Sequence, residues 1–186
     1  MQLGFYFDQT RCSGCLTCIV ACKDWHDIPP GPVSWMRVTT TEQGQFPNVS
    51  VTFLVSLCYH CAEAPCVPAC PVAAITKRKE DGIVVVDGQA CLGIESCSGA
   101  CQAACPYDAL QFEAEPDAKM QKCDLCWDRW AEGKKPICVE ACPMRALDAG
   151  PLDELGSKYR RIKEVVGFTF SQVSKPSIVF KAGGLR

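Results

Sequence analysis

The chain has 186 residues, an apolar fraction of 48%, a formal charge of −2 and sixteen cysteines. That length suits one sizeable domain or two small, closely packed ones. The acidic balance argues against a nucleic-acid surface, and so high a cysteine content leaves a disulfide scaffold or a metal protein as the readings to separate.

The first residues bear on that choice. Met1 to Asp8 shows no basic segment followed by an apolar one and no twin-arginine pair, so no signal peptide is expected. A cytoplasmic chain keeps its thiols reduced, and repeated cysteine spacings then read as metal ligation. Export of the folded chain with a partner, or a peripheral place at a membrane, stays compatible with this. Leu3, Phe5 and Phe7 alternate as a short strand. They lead into the first quartet, Cys12, Cys15, Cys18 and Cys22, with gaps of two, two and three residues.

Residues 23–57 carry no cysteine. Within them Val49 to Cys58 is apolar but interrupted by Ser50, Thr52 and Ser56, too short to span a membrane, and reads as a strand. The second quartet is Cys58, Cys61, Cys66 and Cys70, followed by Pro71. Lys77 to Asp81 reads as an exposed turn before a Gly82–Val86 strand. The third quartet, Cys91, Cys97, Cys101 and Cys105, has lengthened gaps of five, three and three and is followed by Pro106. The fourth is Cys123, Cys126, Cys138 and Cys142, followed by Pro143. No cysteine is left over.

In bacterial ferredoxins, closely spaced cysteines wrap one [4Fe–4S] cluster while a fourth, followed by proline, ligates the neighbouring one. That rule pairs the clusters. It also predicts that each Cys-Pro opens a short helix, because proline suits the first helical turn. An internal repeat agrees with duplication: Asp8 to Cys12 parallels Asp87 to Cys91, and Pro71 to Ile75 parallels Pro106 to Leu110 and Pro143 to Leu147. Cys-x2-Cys pairs also suit zinc, most of all in the fourth quartet, but zinc does not account for the Cys-x3-Cys-Pro endings. His26 and His60 read as packing or hydrogen-bonding residues, and the four tryptophans as core or interface. No phosphate-binding glycine loop and no nucleophile elbow occurs, so catalytic residues are not expected. Sixteen thiolates and four cluster cores would bring the loaded chain to about −10, which gives lysines and arginines near the quartets an offsetting role.

The quartet order, the stretch Cys58-Tyr-His-Cys61-Ala-Glu-Ala-Pro-Cys66 and Asp81-Gly-Ile-Val-Val-Val-Asp87 resemble the four-cluster iron–sulfur subunits of the dimethyl sulfoxide reductase family of molybdopterin oxidoreductases, polysulfide reductase among them. The likeness covers residues 3–148, with Lys175 to Phe180 echoing the family's closing strand. It implies an α+β fold of two pseudo-symmetric 2[4Fe–4S] ferredoxin-like modules. Residues 1–28 with 106–150 would form the first and 58–105 the second, with an inserted segment at 29–57 and a C-terminal extension at 151–186. It also implies four ligand sets: Cys12, Cys15, Cys18 and Cys142; Cys22, Cys123, Cys126 and Cys138; Cys58, Cys61, Cys66 and Cys105; and Cys70, Cys91, Cys97 and Cys101. The stretched third quartet departs from the family's two-residue gaps, which bears on Cys91 and Cys97.

The implied function is electron transfer between a molybdenum or tungsten pterin subunit and a membrane or soluble redox partner, without catalysis by the chain itself. Rival readings are the equivalent subunit of a hydrogenase or formate dehydrogenase complex, or a free polyferredoxin. The long link between quartets one and two resembles the molybdenum group.

Overall fold

The computed structural model describes residues 1–160 and 162–183. Strand β1 (Leu3–Asp8) is the middle of a three-stranded sheet, antiparallel to β6 (Leu147–Pro151) and parallel to β7 (Ile178–Lys181). All six β1 residues are buried. The period-2 alternation explains this. Leu3, Phe5 and Phe7 enter the main core, whereas Tyr6 faces the opposite way and packs with Leu155 of helix α7 (Leu152–Tyr159). The C-terminal segment thus supplies a core strand of the sheet, with Ile178, Val179 and Phe180 buried.

Helix α1 (Thr17–Trp25) comes after the first cysteine loop and carries Cys18 and Cys22 on its buried face, four residues and about one turn apart. The long link contains a hairpin of β2 (Met36–Gln45) and β3 (Asn48–Leu57), in register from Met36 opposite Leu57 to Gln45 opposite Asn48. Its base is buried at Met36, Leu54, Val55 and Leu57, while Phe46 at the tip is 93% exposed. Phe53 also seats the first cysteine loop. Gly14 has φ +68°, and a Cβ there would run into the Phe53 ring. Glycine is needed on both counts.

Helix α2 (Cys66–Ala69) precedes the small antiparallel hairpin of β4 (Ile75–Lys77) and β5 (Val84–Val86). Arg78 ties the connecting turn by ion pairs of 3.0 Å to both Glu80 and Asp81. Lys77 is not part of that exposed turn. It belongs to β4 and its Nζ donates to the Cys61 carbonyl at 2.7 Å. The stretched third quartet is compact. Two one-turn helices, α3 (Ile94–Cys97) and α4 (Ala100–Ala103), take up the extra residues, joined by left-handed Ser98 and Gly99. Short helices α5 (Trp127–Ala131) and α6 (Ile137–Glu140) complete the fourth quartet, and α6 packs on α1 just as α4 packs on α2.

The expectation that each Cys-Pro opens a helix is overturned. The short helices α2, α4 and α6 come before Cys70, Cys105 and Cys142. After each of these cysteines the chain makes a turn. The third residue onward, Ala73, Asp108 or Arg145, has φ near +50°, and its N–H donates to the cysteine carbonyl at 3.2–3.4 Å. Proline lacks the N–H that would continue a helix and stops it instead. The chain then bends sharply, into β4 after Cys70 and into β6 after Cys142.

Asp148 on β6 holds α7 in place. It accepts from Tyr159 Oη at 2.7 Å, Lys158 Nζ at 3.1 Å, Lys135 Nζ and the Ala149 N–H, and the Tyr159 ring stacks on Tyr6 at 3.6 Å. Burial works against its charge, but the hydrogen bonds from Lys135, Tyr159 and Lys158 outweigh it and hold the carboxyl at about 2 against an ordinary 3.8. This contribution is therefore complete above about pH 4 and lost as pH falls toward 2. Asp148→Asn at neutral pH should weaken α7 docking by roughly 1.5–3 kcal/mol. Hydrogen exchange of amides 152–159 should then quicken about tenfold or more, with β1 still protected; unchanged exchange would contradict the assignment.

Candidate metal centres

All sixteen cysteines are free, and nine of them are buried. Most of those nine lie in the main core with the aromatic and aliphatic side chains of β1, β3 and β7. The thiols and the hydrophobic core are therefore one structure. Cys12, Cys15, Cys18 and Cys142 line one cavity, walled by Phe7, Val38, Val55 and Leu147. Cys70, Cys91, Cys97 and Cys101 line a second, walled by Ile75, Val86, Phe112 and Met120. Each draws its thiols from two quartets, the first cavity from quartets one and four and the second from the neighbouring quartets two and three.

The remaining eight thiols lie close enough to act on one another, mostly within two sets, though Cys18 also acts on Cys22 and Cys138, and Cys58 on Cys123. Burial, then Cys126, pushes Cys22 up to about 12. Burial raises Cys123, with Cys22 and Cys138 adding to it, and raises Cys138, with Cys126 and Cys22 adding to it. In the other group burial, then Cys58, pushes both Cys61 and Cys66 up to about 12, and Cys105 adds to each. The first cavity shows the same strain: burial, then Cys12 and Cys142, lifts Cys18 to about 11. Desolvation and mutual repulsion both oppose bare thiolates here. A compact, multiply charged cationic core would relieve both.

The donor set fits iron–sulfur clusters. Four thiols per group, apolar walls and no carboxylate on either cavity lining match thiolate ligation of iron–sulfur groups. A structural zinc ion also takes four thiolates in a closed tetrahedron, but it does not account for the Cys-x3-Cys-Pro endings of the second, third and fourth quartets.

Local structure aims the thiols. Asp8 Oδ1 accepts from the Thr10 N–H at 2.9 Å and Asp87 Oδ1 from the Gln89 N–H at 2.8 Å, so the loops leading to Cys12 and Cys91 turn alike. The Cys70 and Cys142 sulfurs each accept an N–H four residues on, from Ala74 and Ala146, both at 3.3 Å. Burial opposes the Cys70 thiolate, yet the N–H groups of Val72, Ala74, Ile75 and Ala73 win and lower it. At Gly93, φ is +92° and a Cβ would meet the Asp117 carbonyl oxygen at 2.8 Å, which fixes glycine inside the lengthened loop.

The groups are linked through the chain. Cys18 and Cys22 join the first to the second through α1, and Cys58 acts on Cys123 across the middle. Cys66 with Cys70, and Cys101 with Cys105, join the third to the fourth through α2 and α4. The outer groups reach the surface: Cys15 is exposed, flanked by exposed Leu16 and Met144, and Val72 and Leu92 are exposed beside the fourth group.

The general expectation of cations beside the quartets acquires a specific residue, Lys122, which sequence reasoning does not single out. It is 1% exposed, and its Nζ donates to the carbonyls of Cys123, at 3.0 Å, and of Val84. Its charge favours the Cys66 thiolate. The only signal in the sequence is its place directly before Cys123. His26 lies 3.4 Å from the Cys126 sulfur and 3.5 Å from Asp124, a contact around the second group. No helix among the described residues is long and apolar enough to cross a membrane.

Comparison with known proteins agrees with this chemistry. The 4Fe–4S dicluster domain family matches residues 49–152, and a second family of the same description matches residues 11–74. One polypeptide of the anaerobic dimethyl sulfoxide reductase of Escherichia coli K12 is 45% identical over 97% of this chain and 88% of its own length. Its namesake in Haemophilus influenzae is 39% identical over 97% and 89%. One polypeptide of the sulfite dehydrogenase of Allochromatium vinosum is 38% identical over 84% and 72%. The chain belongs to the iron–sulfur electron-transfer subunits of the dimethyl sulfoxide reductase family.

Proposed function

We propose that the chain holds four [4Fe–4S] clusters in a row and carries electrons between a molybdopterin catalytic subunit and a second redox partner, a membrane anchor subunit or a soluble protein. The observation that carries this reading is the grouping of thiols across quartets. Cys142 lines a cavity with Cys12, Cys15 and Cys18, and Cys70 lines one with Cys91, Cys97 and Cys101. The second set would be Cys22, Cys123, Cys126 and Cys138, and the third Cys58, Cys61, Cys66 and Cys105. Residues 1–28 with 106–150 would make one ferredoxin-like module and residues 58–105 the other. Support comes from the pairing of β1 with β6 and of β4 with β5. Residues 29–57 would be an insertion, and 151–186 an extension whose strand β7 completes the first module's sheet.

A cluster held by each cysteine set would supply one-electron transfer at a potential set by charge, hydrogen bonds and burial. The protein's part is spacing, insulation and exposure. Helix α1, bearing Cys18 and Cys22, and the short spans from Cys66 to Cys70 and from Cys101 to Cys105 keep neighbouring sites close. Apolar walls exclude water from the interior, and exposed Cys15 at one end and half-buried Cys70 and Cys91 at the other give electrons a way in and out. The pterin partner is inferred from relatives that are polypeptides of dimethyl sulfoxide reductase and sulfite dehydrogenase.

Two outcomes are expected. Cys142→Ser should disturb the same paramagnetic signal as Cys12→Ser and not the one disturbed by Cys138→Ser; grouping by quartet would contradict the ligand sets. The isolated chain should be reduced by dithionite yet turn over no substrate, and affinity purification should recover a large pterin-binding subunit. A hydrogenase large subunit in its place would move the chain to the rival complex.

A further inference from the structure

His60 lies between Cys58 and Cys61 and is completely buried. Its backbone is pinned, with φ +45° and a carbonyl that accepts from Ser177 Oγ at 3.0 Å and Gln2 Nε2 at 3.1 Å. Its ring is pinned too, because Nδ1 stands 3.0 Å from the Val84 nitrogen. A backbone N–H only donates, so Nδ1 presents its lone pair. A neutral ring whose Nδ1 accepts carries its proton on Nε2.

That Nε2–H has no acceptor among the described residues. A buried donor left unpaired costs about 1–3 kcal/mol, so a pinned, fully buried imidazole needs an acceptor that the polypeptide does not supply. The residue is two positions from one ligand thiol and next to another, and sulfur bound to iron accepts hydrogen bonds. The neighbouring cations differ from it in this respect. Lys77 Nζ is directed to Gln2 Oε1 and the Cys61 carbonyl, and Lys122 Nζ to two carbonyls.

We propose that His60 Nε2–H donates a hydrogen bond to a sulfur of the iron–sulfur group held by Cys58, Cys61, Cys66 and Cys105, and that this bond raises the group's reduction potential. The proposal rests on the ligand set given above. A donor stabilises the reduced, more negative state more than the oxidised one, and loss of the donor lowers the potential. Val84 serves as the positioning group, since its N–H fixes which ring nitrogen carries the proton.

The test uses the full chain in its complex, purified without oxygen and titrated redox-wise with paramagnetic resonance detection. His60→Leu removes the donor; His60→Gln keeps an N–H near the Nε2 position. Cys61→Ser marks the signal of the group concerned. In His60→Leu the marked signal should need a lower potential, with its reduced-to-oxidised ratio at fixed potential down about tenfold, or about 59 mV for one electron. His60→Gln should recover part of the shift, and the other midpoints should stay. An unmoved midpoint with a normal Cys61→Ser response overturns the hydrogen bond alone, as does a shift confined to another signal. A Cys61→Ser variant that leaves every signal intact overturns the ligand set instead. Should His60→Leu lose iron, the unsubstituted ring decides. The chain has only two histidines, so ¹⁵N-histidine in a His26→Gln chain reports on His60. A ¹⁵N coupling to the reduced group is expected, and its absence, as with a buried water as partner, overturns the proposal.

Discussion

Sixteen thiols gathered inside a chain of 186 residues present an electrostatic problem that the rest of the fold is arranged around. A buried thiolate is disfavoured by desolvation, and four together repel one another. An iron–sulfur core held by such a group would resolve both difficulties by placing positive charge at its centre. The main core is therefore not a separate hydrophobic body with sites attached. Phe7, Val55 and Leu147 line the cavity of Cys12, Cys15, Cys18 and Cys142, and Ile75 and Met120 that of Cys70, Cys91, Cys97 and Cys101. They are core residues and cavity wall at once. The short helices are too brief to be stable by propensity alone and are held by packing, α6 on α1 and α4 on α2.

The same constraint accounts for the order of the chain. A ligand set that draws thiols from two quartets requires the segments bearing them to meet. The sheet β6–β1–β7 and the packing of α1 on α6 bring the two ends of the chain together, while β4–β5 and α2 with α4 do so for its middle. Lys122 and His60 lie where these parts of the chain meet, Lys122 bound to the Val84 carbonyl and His60 to the Val84 N–H, with the His60 carbonyl accepting from Gln2. Fixed donors and cations at such a boundary influence potentials without touching solvent.

Much of this is legible from the cysteines, because thiolate spacing is a local property of the chain. The strands at Leu3–Asp8 and Asn48–Leu57 are legible as well, since alternation and β-branched content declare them. The direction of the Cys-Pro segments is not. Proline suits both the start of a helix and the residue after its end, and the sequence alone does not choose between them. The third quartet looks irregular when its gaps are counted as loop, whereas Ile94–Cys97 and Ala100–Ala103 coil into single turns. Lys122 stays hidden because a lysine in sequence carries no mark of burial. The unsatisfied Nε2 of His60 depends on Val84, which is far away in the chain.

The most direct test of the account is the metal content of the full chain, purified in its complex without oxygen and corrected for the partner's own metals. Four occupied groups predict about sixteen iron atoms and about sixteen acid-labile sulfides per chain, with zinc absent. Iron near eight, or tightly bound zinc with little sulfide, would contradict it.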